Sequence, residues 1–354
     1  MSENINPLMD FARVISCSVK LPTNGVWYND GNIGFNNIGE VDIKPMLPKD
    51  ELLMSNPETL ITGETINQVI KSCCPSVSDA SSLYYPDVNA LLLGIHKATY
   101  GDEMTINGVC PKCLEKKQKM INELVIEKSK KKVEEKIIAG GKDELTTDEL
   151  NAIEEESKLE IGKKIDQMEI DNEIRTKVQS RVFSIEYILA QMTFLPSEKI
   201  IESENGLKIY LAPYKCKEKV HFTVKNIHTQ KTLQSMYNKL KSIDEESVEQ
   251  REMMTKEINE AYETLTQDAI SIVSTGIEKI VIPSGFVVTD KNHIEEFLKN
   301  SDIHTVKKIS DIINELTEIG VPSSLPFKCE CCGYEWKELF HGYNPSDFFG
   351  NRSW

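Results

Sequence analysis

Two short stretches decide how this chain is read: Cys110-Pro111-Lys112-Cys113 and Cys329-Glu330-Cys331-Cys332-Gly333. Each holds a Cys-x-x-Cys pair, the spacing that sets two thiolates on one tight turn. Two such turns facing each other supply the four soft ligands that a tetrahedral zinc takes, with Zn–S near ~2.3 Å. Gly333 follows the second pair directly, where the turn calls for a permissive backbone. Phe327, Tyr334 and Trp336 flank that pair in the manner of a zinc-ribbon strand. The expectation is one structural Zn2+ per chain, held by Cys110, Cys113, Cys329 and Cys332. Cys331 is an alternative for Cys329 or Cys332, and His341, nine residues after Cys332, is another. Four thiolates leave no open coordination position, so this metal is not expected to be catalytic. A redox Cys-x-x-Cys would need a βαβ context that the sequence does not present.

Some 215 residues separate Cys113 from Cys329. If one metal joins both pairs, everything between is an insertion that leaves one point and returns to it. The metal then clamps the base of a helical excursion to the N-terminal core. The expected class is α+β: a mixed N-terminal core joined to a C-terminal zinc ribbon, with a long αα-hairpin or coiled-coil-like insertion between the pairs. The expected divisions are 1–113 (core and first knuckle), 114–200 (charged helical hairpin), 201–320 (short strands plus helices) and 321–354 (ribbon and aromatic tail).

Working outward, Val19 and Leu21 before Pro-Thr-Asn-Gly, and Val41 and Ile43 before Pro45, read as strands and turns. Thr65 caps a short helix through Ile66, Val69 and Ile70. Asp87 to Ala98, crowded with Leu91, Leu92, Leu93 and Ile95, reads as a buried helix that ends at Tyr100-Gly101. From Leu114 to Arg181 nearly half the residues are charged, with mixed signs. Gly140-Gly141 breaks that run. Thr146 and Glu149 form a capping box after it, and a three/four apolar spacing runs from Ile161 to Met192. The spacing predicts two antiparallel helices with a tip near 139–147. Leu207–Leu211 and Val220–Val224 alternate as a strand pair. Residues 230–275 suggest a long helix whose acidic middle, 242–250, is a break or a solvated turn. Ile280–Ile282 pairs with Phe286–Val288; Asp290 caps a helix over His293–Lys299; a last helix covers Thr305–Ile319.

Composition narrows the function classes. The chain has 354 residues, 41 basic against 56 acidic, for a formal charge of −15. Such a charge repels phosphate backbones, so nucleic acid is an unlikely partner and a zinc-ribbon nucleic-acid-binding accessory protein is a competing reading. No apolar run suits a membrane helix, and the N-terminus lacks the pattern of a signal peptide. With no export signal, the nine cysteines do not suggest a disulfide framework; Cys17, Cys73, Cys74 and Cys216 read as packing residues. No Walker loop, His-Glu-x-x-His or Gly-x-Ser-x-Gly occurs, and a non-enzyme is expected.

The run Lys44-Pro45-Met46-Leu47-Pro48-Lys49-Asp50-Glu51-Leu52-Leu53 continues through Asn56-Pro57, Leu60-Ile61-Thr62-Gly63, Val69-Ile70-Lys71-Ser72-Cys73 and Ala98-Thr99-Tyr100-Gly101 to the first cysteine pair. With Asn344-Pro345-Ser346-Asp347-Phe348-Phe349-Gly350 after the second pair, it resembles the baseplate hub and baseplate assembly proteins of T-even-type phages, over about a third of the chain. The resemblance implies a non-enzymatic virion component of the contractile tail baseplate, assembled in the bacterial cytoplasm. Its partners would be other baseplate, hub and tail proteins, and its zinc residues the same four cysteines. A soluble assembly chaperone absent from the finished particle is the alternative. Phe348, Phe349 and Trp354 are candidate partner-binding anchors, since buried aromatics carry much interface energy. The acidic surface would steer docking to basic partners.

Overall fold

The computed structural model describes residues 13–28, 31, 33–37, 39–54, 64–140, 146–170, 178–242 and 247–339. The chain divides into two compact units. The first holds residues 1–104, 184–323 and 341–354; the second holds 105–183 and 324–340. The mixture of helices with small sheets is the α+β class that the sequence predicts.

In the first unit, β1 (Cys17–Val19) and β2 (Val41–Ile43) pair antiparallel, Cys17 opposite Ile43. Helix α1 (Pro48–Met54) leads on to α2 (Glu64–Cys73), which buries Ile66, Val69, Ile70 and Cys73 as one apolar face. Thr65 lies inside the first turn of α2 rather than before it. Arg13 ties these pieces together. Its guanidinium donates to the Pro45 carbonyl at 2.5 Å and the Ser72 carbonyl at 2.7 Å, and sits 3.7 Å from the buried Asp50 carboxylate. Helix α3 (Tyr85–Tyr100) follows, with Leu91, Leu92, Leu93 and Ile95 fully buried. So dense an apolar set leaves it no polar face to turn to water, which makes it the central helix of this core.

Asp87 is buried in the first turn of α3. Its carboxylate accepts from the Thr23 amide (3.0 Å) and hydroxyl (2.7 Å) and from the Tyr28 hydroxyl (2.7 Å). Burial pushes its pKa up to about 6 from an ordinary 3.8, and those donors only partly oppose the rise. The folded state therefore holds this proton more tightly than the unfolded chain. Its contribution is complete below about 3.8 and is lost as pH rises through about 6. A gap of about two units corresponds to about 3 kcal/mol. Asp87→Asn has no such titration, so wild-type stability is expected to fall relative to the variant between pH 4 and 6, in urea melts taken at several pH values. A constant difference over that window would refute the assignment.

The rest of the first unit is built on a four-stranded antiparallel sheet in the order β5 (Ile200–Glu202), β6 (Lys208–Leu211), β7 (Ile277–Val281), β8 (Val287–Val288). Two long helices, α7 (Cys216–Ser242) and α8 (Val248–Thr275), lie between β6 and β7 in the chain and pack antiparallel. Lys225 meets Asp268 at 2.6 Å, and the Tyr237 and Tyr262 hydroxyls are 3.3 Å apart. Helix α9 (Lys291–Lys299) is capped by Asp290, whose carboxylate accepts from the His293 amide; Asp302 does the same for α10 (Ile303–Glu318). Ile272, Val273, Ile277 and Ile280 meet Leu298, Ile309, Ile313 and Leu316 in one apolar cluster.

One local expectation is corrected here. Val220, Phe222 and Val224 lie in α7 and not in a strand. Val220 and Val224 are four apart and share a helix face, so a five-residue alternation satisfied both periods. The helical stretch over 230–275 divides within its acidic middle, as that composition suggests: α7 ends at Ser242 and α8 begins at Val248.

In the second unit, β3 (Glu103–Gly108) leads from the first unit and pairs with β4 (Gln179–Ser184), which returns to it. Between them stands a hairpin of α4 (Pro111–Gly140) and α5 (Thr147–Ile170). The antiparallel pairing is fixed by Lys132, 2.9 Å from Glu160 and 3.1 Å from Glu156, and by Lys128 on Glu160. Val125 and Ile161 form a small apolar cluster with Met120, Ile121 and Leu124 against them, and Ile153 is also buried. The expected capping box is present: the Thr146 amide donates to Glu149 at 2.9 Å, and the Glu149 amide to the Thr146 hydroxyl at 3.4 Å. Thr146→Ala is expected to remove about 1 kcal/mol from the hairpin, seen as faster amide exchange in the first turns of α5; unchanged exchange would count against the cap. The helical period expected to run on to Met192 is interrupted. Helix α5 ends at Ile170, β4 occupies 179–184, and a short α6 (Ile185–Ala190) begins in the first unit. Val182 is exposed and Phe183 buried, because in β4 neighbouring side chains take opposite faces. The unit is completed by the hairpin of β9 (Ser324–Lys328) and β10 (Glu335–Leu339), with Phe327 opposite Trp336.

Candidate metal centre

The two Cys-x-x-Cys pairs sit on different kinds of turn. Cys110 ends the strand-to-helix connection after β3, and Cys113 lies in the first turn of α4. Cys329 and Cys332 stand in the tight connection between β9 and β10. There the Cys329 amide donates to the Tyr334 carbonyl (2.8 Å) and the Gly333 amide to the Cys329 carbonyl (2.9 Å). Gly333 has φ +69°, the left-handed region that a side chain strains. This is the conformation its position after the cysteine pair predicts. Aromatic packing holds the ribbon on the strand pair: Phe327 lies 5.4 Å from Trp336 and 5.7 Å from Phe183, centroid to centroid.

The four sulfurs converge, every one within 4.8 Å of the others. Across the pairs, Cys110 Sγ is 3.7 Å from Cys332 Sγ, and Cys113 Sγ is 3.7 Å from Cys329 Sγ and 3.5 Å from Cys332 Sγ. These separations are far beyond an S–S bond of ~2.0 Å. They are close to the edge of a sulfur tetrahedron around a zinc, which at a Zn–S length of ~2.3 Å is about 3.8 Å. Chain positions 110 and 330 thus meet, as the pair spacing implies. Cys110 and Cys329 are buried, while Cys113 is half-buried and Cys332 exposed. Cys331 is exposed and does not belong to the group. His341, Phe348, Phe349 and Trp354 lie outside the described residues.

The electrostatics suit a cation. Burial opposes ionisation of Cys329, but the amides of Cys332 and Cys331 and the Gln179 side chain favour its thiolate and bring its pKa down to about 6. Burial raises Cys110 and Cys113, and the neighbouring sulfurs drive Cys113 up further. Four thiolates at this spacing repel one another strongly, and a divalent metal removes that repulsion. Gln179 supports the cluster from β4, a contribution that sequence reading missed. Its amide nitrogen lies 3.2 Å from Cys329 Sγ, and its carbonyl oxygen accepts from the Glu330 amide at 3.4 Å. That arrangement orients a ligand from the shell behind it. No sequence signal marks Gln179, since a glutamine on a strand has no characteristic spacing to a cysteine 150 residues away.

Among the described residues no other group of three or more His, Cys, Asp or Glu side chains is arranged to hold a metal ion. No described helix is long and apolar enough to cross a membrane. No curated protein and no solved structure shows a significant match to the chain. A protein family described as T4 bacteriophage base plate protein does match, over residues 15–229. The matched span takes in the N-terminal part of the first unit, the first cysteine pair and the α4–α5 hairpin, well over half of the 354 residues. The chain therefore belongs to the T4 bacteriophage base plate protein family.

Proposed function

We propose that this baseplate protein is a non-enzymatic structural component of the hub of a contractile tail. In this reading it acts through contacts with other hub, baseplate and tail proteins, and one structural zinc on Cys110, Cys113, Cys329 and Cys332 stabilises it. The convergence of four sulfurs from two distant pairs, at 3.5–3.7 Å across the pairs, carries the metal part. Cysteine sulfur in a four-fold set favours zinc over harder cations, and a full sulfur shell suits a structural rather than a catalytic ion. Family membership carries the baseplate part. Two long helical hairpins, α4–α5 and α7–α8, support an interaction role, because each offers extended solvent-facing sides.

Mass spectrometry of purified virions tests the placement. Peptides of this chain are expected in amounts comparable to other baseplate subunits. Their absence from particles, with the chain present in infected cells, would overturn the virion assignment in favour of an assembly factor that leaves before completion. Elemental analysis of the purified chain is expected to give one zinc per molecule.

A further inference from the structure

An open cleft of about 420 Å³ lies within the first unit, where α7 and α8 face α9 and α10. Its floor is apolar, with Phe222, Ile270 and Val306 among the lining residues, and Ile303 stands at its edge almost three-quarters exposed. Its charged residues are all of one sign: Lys219, Lys299 and Lys307 line it, and no Asp or Glu does. On a chain of 41 basic and 56 acidic residues, a cleft with three cations and no anion departs from the rest of the molecule.

The lysines are not used up by the fold. Lys219 is half-buried against the Tyr214 ring, 5.3 Å from its centroid, and its ammonium donates to the Asn314 side-chain oxygen at 3.4 Å. Burial lowers its pKa, and the charge of Glu318 only partly restores it. Lys299 and Lys307 are exposed, and no ion pair among the described residues includes any of the three. A partly desolvated ammonium without a carboxylate is a costly arrangement, which an incoming anion relieves.

We propose that this cleft docks an acidic, aromatic-containing segment of a partner protein. A large apolar side chain of the segment would enter between Phe222, Ile270 and Val306, and flanking carboxylates would pair with Lys219, Lys299 and Lys307. The apolar floor favours a protein segment over a free anion, since a phosphate would leave Phe222 and Ile270 uncovered. The three cations give such a segment its orientation and speed its arrival. The inference deepens the protein-contact reading above and rests on it only for the partner being a protein.

Selection from a ribosome-displayed library of random twelve-residue peptides on the full chain tests it, with counter-selection on the double variant Lys299→Glu, Lys307→Glu. Both positions are exposed, so the variant is expected to melt like the wild type. Selected peptides are expected to carry an aromatic or large aliphatic residue beside Asp or Glu. A synthetic copy of the best peptide is expected to bind roughly tenfold more weakly to the double variant, and more weakly at high salt than at low salt. A second variant, Ile270→Asp, is expected to abolish binding with the lysines intact. Peptides without acidic residues, equal binding to the double variant, or the absence of any cleft-dependent peptide would each overturn the proposal. Displacement of the peptide by millimolar inorganic phosphate or ATP would also overturn it, in favour of a small-anion site. Peptide binding is independent of virion composition, so failure here leaves the hub assignment standing, and the reverse also holds.

Discussion

Cys329→Ser is expected to empty the metal centre and unfold the second unit well before the first. The reason lies in how little else holds that unit. The buried apolar side chains of its hairpin among the described residues are Val125, Ile153 and Ile161, and surface pairs such as Lys128–Glu160 contribute little individually. The binding free energy of a structural zinc at this cluster, on the order of 10 kcal/mol at neutral pH, would therefore be a major share of the unit's stability. Removing one of four sulfurs is expected to forfeit several kcal/mol of it. It should also strip bound zinc from one per chain to a small fraction and expose residues 105–183 to protease. Chelator added to the wild type should reproduce the effect, and chelator added to the variant should do nothing further. Cys331→Ser, at an exposed cysteine outside the cluster, should keep its zinc and its melting temperature. Acid should mimic chelation, because protons compete with the metal for thiolates. A Cys329→Ser chain that still holds one zinc and melts normally would sink the ligand assignment.

Gly94→Val is expected to produce the second large loss, in the first unit. Gly94 lies in the middle of α3, where the helix backbone comes directly against the β1–β2 pair. A Cβ there would run into Ile43 Cδ1 and lie 2.6 Å from Val19 Cγ2. Ile43 is fully buried and Val19 nearly so, so neither has space to withdraw without disturbing its neighbours. Overpacking of this kind costs about 1–3 kcal/mol. For valine, with two further methyl groups, the upper end is expected, seen as a lowered urea midpoint with an unchanged slope. Gly94→Ala should lose less, because it adds the Cβ alone, without valine's two further methyl groups, and recovers up to about 1 kcal/mol of helix propensity. If valine were tolerated without loss, the close approach of α3 to the strand pair would be disproved.

Reading from sequence succeeded at most places where the determinant was local, the Thr65 cap being an exception. The Cys-x-x-Cys turns, Gly333, the Thr146–Glu149 box, the Asp290 cap and the apolar run Leu91–Ile95 are each set by residues within a few positions of one another. It failed where two periods fit the same residues. Val220, Phe222 and Val224 alternate like a strand yet belong to the 27-residue α7, whose length and packing against α8 decide the matter. Val178 and Val182 continue a helical spacing. Yet the chain at 179–184 is a strand because β3 offers it a pairing partner more than seventy residues away, as the Ser180–Asn107 side-chain contact at 2.6 Å illustrates.

The sequence by itself determined the class of the fold, the four sulfurs and the baseplate resemblance, because cysteine spacing and short ordered motifs are properties of neighbouring residues. Only the tertiary structure decided that the sulfurs come within 4.8 Å and that Gln179 reaches Cys329. The same holds for the three lysines that surround an apolar cleft without an acid among its lining. Each of these depends on which distant segments pack together. That choice follows from burial of apolar surface summed over the whole unit, which no local stretch encodes.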